Sequence, residues 1–180
     1  MKIHKTAVLL TCMIGLTGCM THKNAVKLGQ LDRAVAVMQP TAGNSARGIV
    51  KFVQDGARIT VIADIEGLSP NAKHAFHIHQ WGDCSSPDGK SAGGHYNPEG
   101  HDHGNPDAIS PRHAGDLGNL EADAAGKAHY ERTVYNLTIG DSHNPIIGRA
   151  VIIHKKHDDF GQPTGNAGSR VACGTIGVAK

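Results

Sequence analysis

One short stretch near the middle of the chain decides the fold, and it reads Ala75-Phe76-His77-Ile78-His79-Gln80-Trp81. Its residues alternate with a period of two and include aromatic and β-branched side chains, which is typical of a β-strand. Residues i and i+2 of a strand leave the same face, so His77 and His79 should point the same way. Two such imidazoles form half of a zinc or copper site, although two exposed histidines on an edge strand would show the same pattern.

The composition favours a single β-rich domain. The chain has 180 residues, enough for a substantial core, with 23 glycines, 4% aromatic residues and no long helical period. Its net charge is only +2, and two of the lysines lie in a segment that we expect to be removed. A nearly neutral mature chain excludes a nucleic-acid partner.

Runs of apolar and β-branched residues between turn signals predict eight strands, at residues 34–38, 48–53, 57–65, 73–81, 116–121, 126–135, 146–154 and 171–178. Two long stretches interrupt them, residues 83–112 and 155–169, both rich in glycine and aspartate. Long loops in a compact domain are usually functional. The prediction is an all-β, eight-stranded antiparallel Greek-key sandwich or barrel, immunoglobulin-like, with two long functional loops.

The N-terminus has the features of an export signal. Lys2 and Lys5 precede an apolar run at residues 7–16, which is too short to span a membrane stably. The run ends in Leu16-Thr17-Gly18-Cys19, which resembles the lipobox of bacterial lipoproteins, although an ordinary secretory signal could also contain Cys19. We expect a signal peptide at 1–18, a tether at 19–31 and the domain at 32–180. The predicted location is the periplasm, with a lipid anchor at Cys19 in the outer membrane.

Only two cysteines then remain in the domain, Cys84 and Cys173. In an exported protein such a pair most economically forms a disulfide. The alternative, two thiolate metal ligands, fits poorly with an oxidising compartment and with the many histidines nearby.

Several separate motifs follow one another in order. They are His77-x-His79, Gly93-Gly94-His95-Tyr96-Asn97-Pro98, His113-Ala114-Gly115-Asp116-Leu117-Gly118-Asn119, Gly148-Arg149 with His154, and Gly165-Asn166-Ala167-Gly168-Ser169-Arg170-Val171-Ala172-Cys173-Gly174. In these motifs, over residues 34–178, the chain resembles the copper/zinc superoxide dismutase family. The resemblance implies a Greek-key fold and an oxidoreductase that disproportionates superoxide to oxygen and hydrogen peroxide.

The resemblance also implies the site residues. The implied copper ligands are His77, His79, His95 and His154, and the implied zinc ligands are His95, His103, His113 and Asp116. These sets make chemical sense, because copper(II) accepts nitrogen sites and zinc accepts three imidazoles with a carboxylate. The shared His95 would also act as a proton donor, and Arg170 would guide the anionic substrate.

Some assignments remain open at this stage. Asp158 matches the carboxylate that orients metal-binding histidines, but Asp159 is its neighbour, and His103 is favoured over His101 by spacing alone. The histidines expected at the surface are His22, His74, His129, His143 and His157. The alternative to the enzyme is a module that stores or delivers copper or zinc on the same fold.

Electrostatic steering and assembly are less well defined. The loop at residues 155–169 is shorter than the corresponding loop of the eukaryotic members that the chain resembles, and Lys155 and Lys156 could attract the substrate there. The segments 81–82, 146–148 and 176–178 predict a contact for a homodimer, unless they are core and sheet-end residues.

Overall fold

The computed structural model describes residues 27–180 except residue 142. Its eight strands are β1 (Arg33–Pro40), β2 (Arg47–Asp55), β3 (Arg58–Glu66), β4 (Lys73–His79), β5 (Asp116–Glu121), β6 (Ala128–Val134), β7 (Ala150–His154) and β8 (Arg170–Val178). Two short 3-10 turns, Leu28–Gln30 and Lys90–Ala92, complete the regular structure. The predicted signal peptide, Cys19 and His22 lie outside the described residues.

The strands pair in the order β5-β4-β7-β8-β1-β2-β3-β6, and every pair is antiparallel. The two outermost strands, β5 and β6, lie against each other, so the sheet forms a nearly closed barrel. The chain crosses between the halves of this order three times, from β3 to β4, from β5 to β6 and from β6 to β7. The predicted all-β Greek-key fold is therefore confirmed, with its two long connections at residues 80–115 and 155–169.

Alternating burial along the strands creates the barrel core. In β3, Ile59, Val61, Ala63 and Ile65 are buried while the residues between them are not. Phe52 of β2 is opposite Val61 and fully buried, as expected for side chains that leave one face of neighbouring strands. Each such side chain stabilises the fold by about 1.5 to 3 kcal/mol relative to full exposure.

Strand β4 is buried on both faces, as is its neighbour β7. Phe76 and Ile78 belong to the barrel core, while His77 and His79 leave the opposite face. A small second apolar cluster, which includes Ala150 and Ile152 of β7, is separate from that core. Because His77 is paired with Ile152 and His79 with Ala150, the histidines lie on the outer face beside this cluster, beneath the long loops.

The predicted disulfide is confirmed. Cys84 and Cys173 are bonded, with their Cα atoms 5.7 Å apart, so the disulfide joins the long loop 80–115 to β8.

Three strands are shorter than their sequence patterns predict, and the first of them, β4, ends at His79 and not at Trp81. Strand β6 begins at Ala128 because Gly126, with a φ of +70°, belongs to the turn before it. Strand β7 begins at Ala150 because Asn144 and Gly148 have φ angles of +45° and +77°. Positive φ angles break the extended backbone, and apolar residues such as Ile146 can still reach the core from a turn.

The last residues of the predicted tether lie against the barrel. Leu31 packs on the core, and a Cβ at Gly140 would lie 2.3 Å from the carbonyl oxygen of Leu28. Within residues 27–180, residue 142 apart, no helix has the length and apolar character needed to cross a membrane.

Candidate metal centre

Strand register brings the histidines together. Across neighbouring strands, His77 is opposite Asp116, and His154 is opposite Arg170. An isolated bridge places His79 opposite His95, which lies in the long loop between β4 and β5. The fold therefore brings residues that are distant in the sequence together in one compact group.

Four histidines form the first cluster, and each offers a nitrogen within 4.8 Å of the others: His77, His79, His95 and His154. All four are buried. Nδ1 of His79 lies 3.0 Å from the carbonyl oxygen of Gly93, and Nδ1 of His154 lies 3.3 Å from that of Gly168. A carbonyl oxygen only accepts hydrogen bonds, so each Nδ1 carries the proton.

This hydrogen bonding leaves unprotonated nitrogens facing one another. The Nε2 atoms of His79 and His154 are 3.3 Å apart, and neither has a proton to donate when the rings are neutral. His77 donates from Nε2 to Oδ2 of Asp158 at 2.7 Å, and its buried Nδ1 has no partner among the described residues. A cation between these lone pairs would satisfy all of them, and an all-imidazole set suits copper.

The second cluster consists of His95, His103, His113 and Asp116. The Nδ1 atoms of the three histidines lie 3.3, 2.9 and 3.2 Å from Oδ1 of Asp116, respectively. Ligand atoms about 2.0 to 2.1 Å from a tetrahedral zinc ion are separated by roughly 3.3 Å. The observed distances therefore fit a zinc ion at the centre of this cluster.

Backbone and side-chain contacts fix the carboxylate. Oδ2 of Asp116 accepts hydrogen bonds from the backbone N–H groups of Gly104 and His113 at 3.0 and 3.2 Å, which leaves Oδ1 for the histidines. Burial raises the pKa of Asp116, but its hydrogen bonds with His103, His113 and His95 outweigh this effect and hold the pKa well below its usual range. Asp116 is thus a permanent negative charge.

The histidines differ in their protonation. Burial lowers the pKa of His79 well below its usual value, that of His95 to about 4 and that of His154 to about 3. For His103, hydrogen bonds to Asp116 and Asp158 outweigh burial and raise the pKa to about 9. The first cluster is therefore neutral and ready for a cation, whereas His103 holds a proton at the position that a cation would take.

His95 belongs to both clusters. Its Nδ1 faces His113 and Asp116 of the second cluster, at 3.2 and 3.3 Å, so Nε2 is the nitrogen left for the first cluster. One imidazole can contact two cations only if it loses both ring protons, and two divalent ions make this loss possible.

Asp158 also joins the clusters, through its two oxygens. It accepts a hydrogen bond from Nε2 of His77 at 2.7 Å and another from Nε2 of His103 at 2.8 Å. Asp159 is exposed and contacts Asn166 instead. His101 lies outside both clusters, and its Nε2 is 3.4 Å from Glu99.

A cleft of about 780 Å³ opens onto the first cluster. It is lined by His79, His95 and His154 and by Arg170, and its wall also includes Thr164 and Lys155. Arg170 donates hydrogen bonds to the carbonyl oxygens of Gly89 and Gly93, both at 2.6 Å. Burial lowers its pKa, and nearby Asp88 opposes that effect.

The prediction that His74 is a surface residue is wrong. Its side chain is buried, and its Nδ1 donates to the carbonyl oxygen of His154 at 2.8 Å. The backbone N–H of Ser69 donates to its other nitrogen at 3.2 Å. His74 thus joins the turn before β4 to a residue of the first cluster. In contrast, His129, His143 and His157 are exposed as predicted.

Sequence comparison agrees with this geometry. The profile of the family described as Copper/zinc superoxide dismutase (SODC) matches residues 46–176, which is well over half of the chain. The chain belongs to the copper/zinc superoxide dismutase family. The predicted family, enzyme class and metals are therefore confirmed: it is an oxidoreductase of a family that uses copper and zinc.

Individual members of the copper/zinc superoxide dismutase family are similar over most of their length. A "Superoxide dismutase [Cu-Zn]" of Paramecium bursaria Chlorella virus 1 is 39% identical over 184 residues, covering 97% of this chain and 94% of the relative. The Schizosaccharomyces pombe protein of the same name is 45% identical over 158 residues, covering 82% and 98%. The crystal structure of the clock protein EA4 superposes with a TM-score of 0.74 at 39% identity, covering 83% of this chain and 96% of that one.

Proposed function

We propose that this protein disproportionates superoxide, converting two superoxide anions and two protons into one molecule of oxygen and one of hydrogen peroxide. The observation that carries the proposal is the position of His95, which is shared by two clusters at the base of a cleft that also contains a guanidinium. The names of the similar proteins support the same reaction.

In this proposal copper is held by His77, His79, His95 and His154. Zinc is held by His95, His103, His113 and Asp116, and Asp158 orients a histidine of each set. When bound, copper supplies reversible one-electron transfer between Cu(II) and Cu(I), and zinc supplies a fixed positive charge.

Arg170 binds and orients the substrate. Its two hydrogen bonds to Gly89 and Gly93 hold the guanidinium beside His79, His95 and His154 in the wall of the cleft. A fixed positive charge in a narrow cleft raises the local concentration of a small anion and gives it a defined orientation. Lys155 adds a second cation to the same wall.

His95 holds and releases a proton at Nε2. Its Nε2 is the nitrogen on the side of the first cluster, where the cleft opens, so a proton held there can pass to a reduced substrate. Its Nδ1 stays directed at Asp116, which keeps the ring in place while Nε2 gains and loses that proton.

The test is the rate of superoxide decay, measured by pulse radiolysis on the copper- and zinc-loaded protein. We expect Arg170→Ala to slow decay by roughly tenfold or more while both metals stay bound. Arg170→Lys should retain more of the rate and its dependence on ionic strength. The matched control is Arg149→Ala, because Arg149 stacks on Tyr96 and lies outside the residues that line the cleft.

Two outcomes would count against the proposal. A metal-loaded parent that removes superoxide no faster than buffer would leave metal storage or delivery as the function. Equal rates for Arg170→Ala and Arg149→Ala would remove the assigned role of Arg170.

We further propose that the protein acts in the bacterial envelope, exported by residues 1–18 and anchored through Cys19 by a tether at 19–31. The charged, apolar and lipobox-like order of the N-terminal residues supports this location. Radiolabelled palmitate should be incorporated into the protein in cells and not into Cys19→Ser. Equal labelling of the two would contradict the anchor.

A homodimer is also proposed, on narrower grounds than the sequence suggested. Ile146 and Ile176 are buried in the core and cannot form the contact, but Trp81 is 58% exposed and Val178 is 46% exposed. Sedimentation at several concentrations should give a dimer that Trp81→Arg converts to a monomer. A monomeric parent would refute this part of the proposal.

A further inference from the structure

The tether and the substrate cleft lie at opposite ends of the barrel, and strand β8 runs from one end to the other. It begins at Arg170, which lines the cleft, and ends at Val178. Val178 is paired with Ala34, and the backbone N–H of Ala179 donates to the carbonyl oxygen of Arg33 at 3.2 Å. The end of β8 therefore lies beside the start of β1, where the tether enters the barrel. At about 3.3 Å per residue, roughly 26 Å of strand separate this point from Arg170.

Other elements place the cleft at the end of the barrel where β8 begins, which we call the cleft end. The lining of the cleft includes Thr41 and Asn44, in the turn between β1 and β2, and Lys155, in the loop after β7. Because the neighbouring strands are antiparallel, this turn and this loop both lie beside the start of β8.

The last residues of the tether are fixed at the opposite end, which we call the tether end. The carbonyl oxygen of Asp32 accepts a hydrogen bond from the backbone N–H of Gln54 at 2.8 Å, and Leu31 packs on the core. Leu28 lies close against Gly140, in the connection between β6 and β7. The chain is therefore held to the tether end as far back as Leu28.

The length of the tether limits how an anchored protein can be oriented. Lys27 is only eight positions after Cys19, and eight residues span at most about 28 Å when fully extended. A protein anchored at Cys19 could bring its cleft end to the membrane only if the connecting residues were stretched along the barrel, which would remove their conformational freedom. We propose that the tether end lies against a phospholipid surface and that the cleft opens away from it. This inference rests on the lipid anchor proposed above.

The surface of the tether end suits the headgroup region of a membrane. Tyr135 is 71% exposed and Leu28 is 54% exposed, and tyrosine is enriched at membrane interfaces, where leucine can also bury apolar area. Arg58 lies beside Tyr135 across the β3–β6 pair and already forms an ion pair with Asp55. We therefore expect the orientation to form on uncharged lipid as well as on anionic lipid.

This orientation separates the cleft from the charge of the membrane. Arg170 lies about 26 Å or more from the headgroups, whereas charge effects in physiological salt decay over about 8 Å. Negative headgroups therefore do not repel the superoxide anions that approach the cleft. Arg170 and Lys155 face the aqueous side, from which the substrate arrives by diffusion.

The test compares how close the two ends of the barrel lie to lipid headgroups. The full chain is purified as the acylated protein and reconstituted in phosphatidylcholine vesicles that contain a lipid with a nitroxide quencher on its headgroup. A fluorophore is attached to Tyr135→Cys or to Ala124→Cys, two exposed positions beyond opposite ends of β6. We expect quenching at position 135 to be at least about threefold stronger than at position 124, because the length of a strand separates them.

Co-flotation with the vesicles is measured on the same samples, with Cys19→Ser as the control that has no anchor. Flotation with stronger quenching at position 135, and no quenching in Cys19→Ser, would establish the orientation. Equal quenching at the two positions, or stronger quenching at position 124, in a protein that floats would overturn the orientation and leave the anchor intact. A full chain that does not float would refute the anchor and the orientation together. Superoxide decay by the same samples tests the proposed reaction independently of both.

Discussion

At the scale of single residues, Asp158 is a buried carboxylate that contacts both metal clusters. It accepts from His77 with one oxygen and from His103 with the other, and Asn119 holds its backbone from both sides, at 2.7 and 3.1 Å. Because it accepts a hydrogen bond from Nε2 of each ring, it leaves both Nδ1 atoms as the nitrogens that face a cation. One side chain therefore orients one histidine of each cluster.

Asp158→Asn should weaken the binding of both metals by about 10- to 100-fold, because the new amide group would face one histidine N–H with its own N–H donors. Competition with a chromophoric chelator measures each affinity. Asp159→Asn is the matched control, since Asp159 is adjacent but exposed. If both substitutions weakened metal binding equally, Asp158 would have no specific role in orienting the histidines.

At the scale of elements, the loop 155–169 carries Asp158 into the site and then returns beneath it. Gly165 has a φ of +70°, and a Cβ there would lie 1.8 Å from Oδ1 of Asp158 and 2.9 Å from Nε2 of His103. The loop can thus close over the carboxylate only if position 165 has no side chain. The glycine at position 165 therefore makes room for the carboxylate of Asp158.

Gly165→Ala should displace Asp158 and so reduce metal affinity as strongly as Asp158→Asn does. Gly168→Ala separates this displacement from backbone strain, because Gly168 has a similar φ of +75° but its Cβ would meet only the flexible side chain of Lys156. We expect Gly168→Ala to cost about 1 to 2 kcal/mol of stability and to leave metal affinity nearly unchanged. Chelator competition and thermal unfolding measure the two quantities, and equal metal loss in both variants would contradict the steric explanation.

At the scale of the whole molecule, the buried histidines make the metal-free fold sensitive to pH in both directions. His95 and His154 have folded pKa values of about 4 and 3, below the usual 6.5. As the pH falls below 6.5, these histidines therefore become protonated in the unfolded chain but not in the folded one, and the folded state loses stability. His103 has a folded pKa of about 9, so its stabilising contribution is complete below pH 6.5 and is lost as the pH rises towards 9. The pKa values of Asp116 and Asp158 are lowered, so their contributions do not change between pH 4 and 6.5.

The metal-free protein should therefore have its greatest free energy of unfolding near pH 6.5, with lower values at pH 5 and pH 8.5. Urea denaturation at these three pH values measures the effect. Loading with zinc should remove the decrease between pH 6.5 and 8.5, because the ion replaces the proton on Nδ1 of His103. A metal-free profile that is flat across this range would refute the protonation states assigned above.

Much of the fold could be predicted from the sequence because the alternation of apolar and polar residues in a strand is a local pattern. The alternation around Phe76 and Ile78, and the turn residues between runs, were enough to locate all eight strands. Their ends were harder to place, since β7 begins only after the positive φ of Gly148, a property of the turn and not of the apolar residues around it.

The metal clusters were visible because their residues recur in compact motifs, whereas isolated contacts were not. His74 looked like an exposed strand residue, and its burial depends on the turn around Ser69 folding over it. For Ile146 and Ile176 the sequence left a surface contact and a core position equally open, and only the closed barrel shows that they face inward. Glu99 and His143 are 44 positions apart in the sequence, so nothing local indicated that they would meet.

The strand order has a consequence for how such a protein can evolve. Every residue of the two clusters, with Asp158 and Arg170, comes from β4, β5, β7, β8 or the loops between them. Strands β1, β2, β3 and β6 lie side by side in the other half of the order and supply none. Their outward-facing positions can therefore drift, or acquire new partners, while the chemistry on the other half is inherited unchanged.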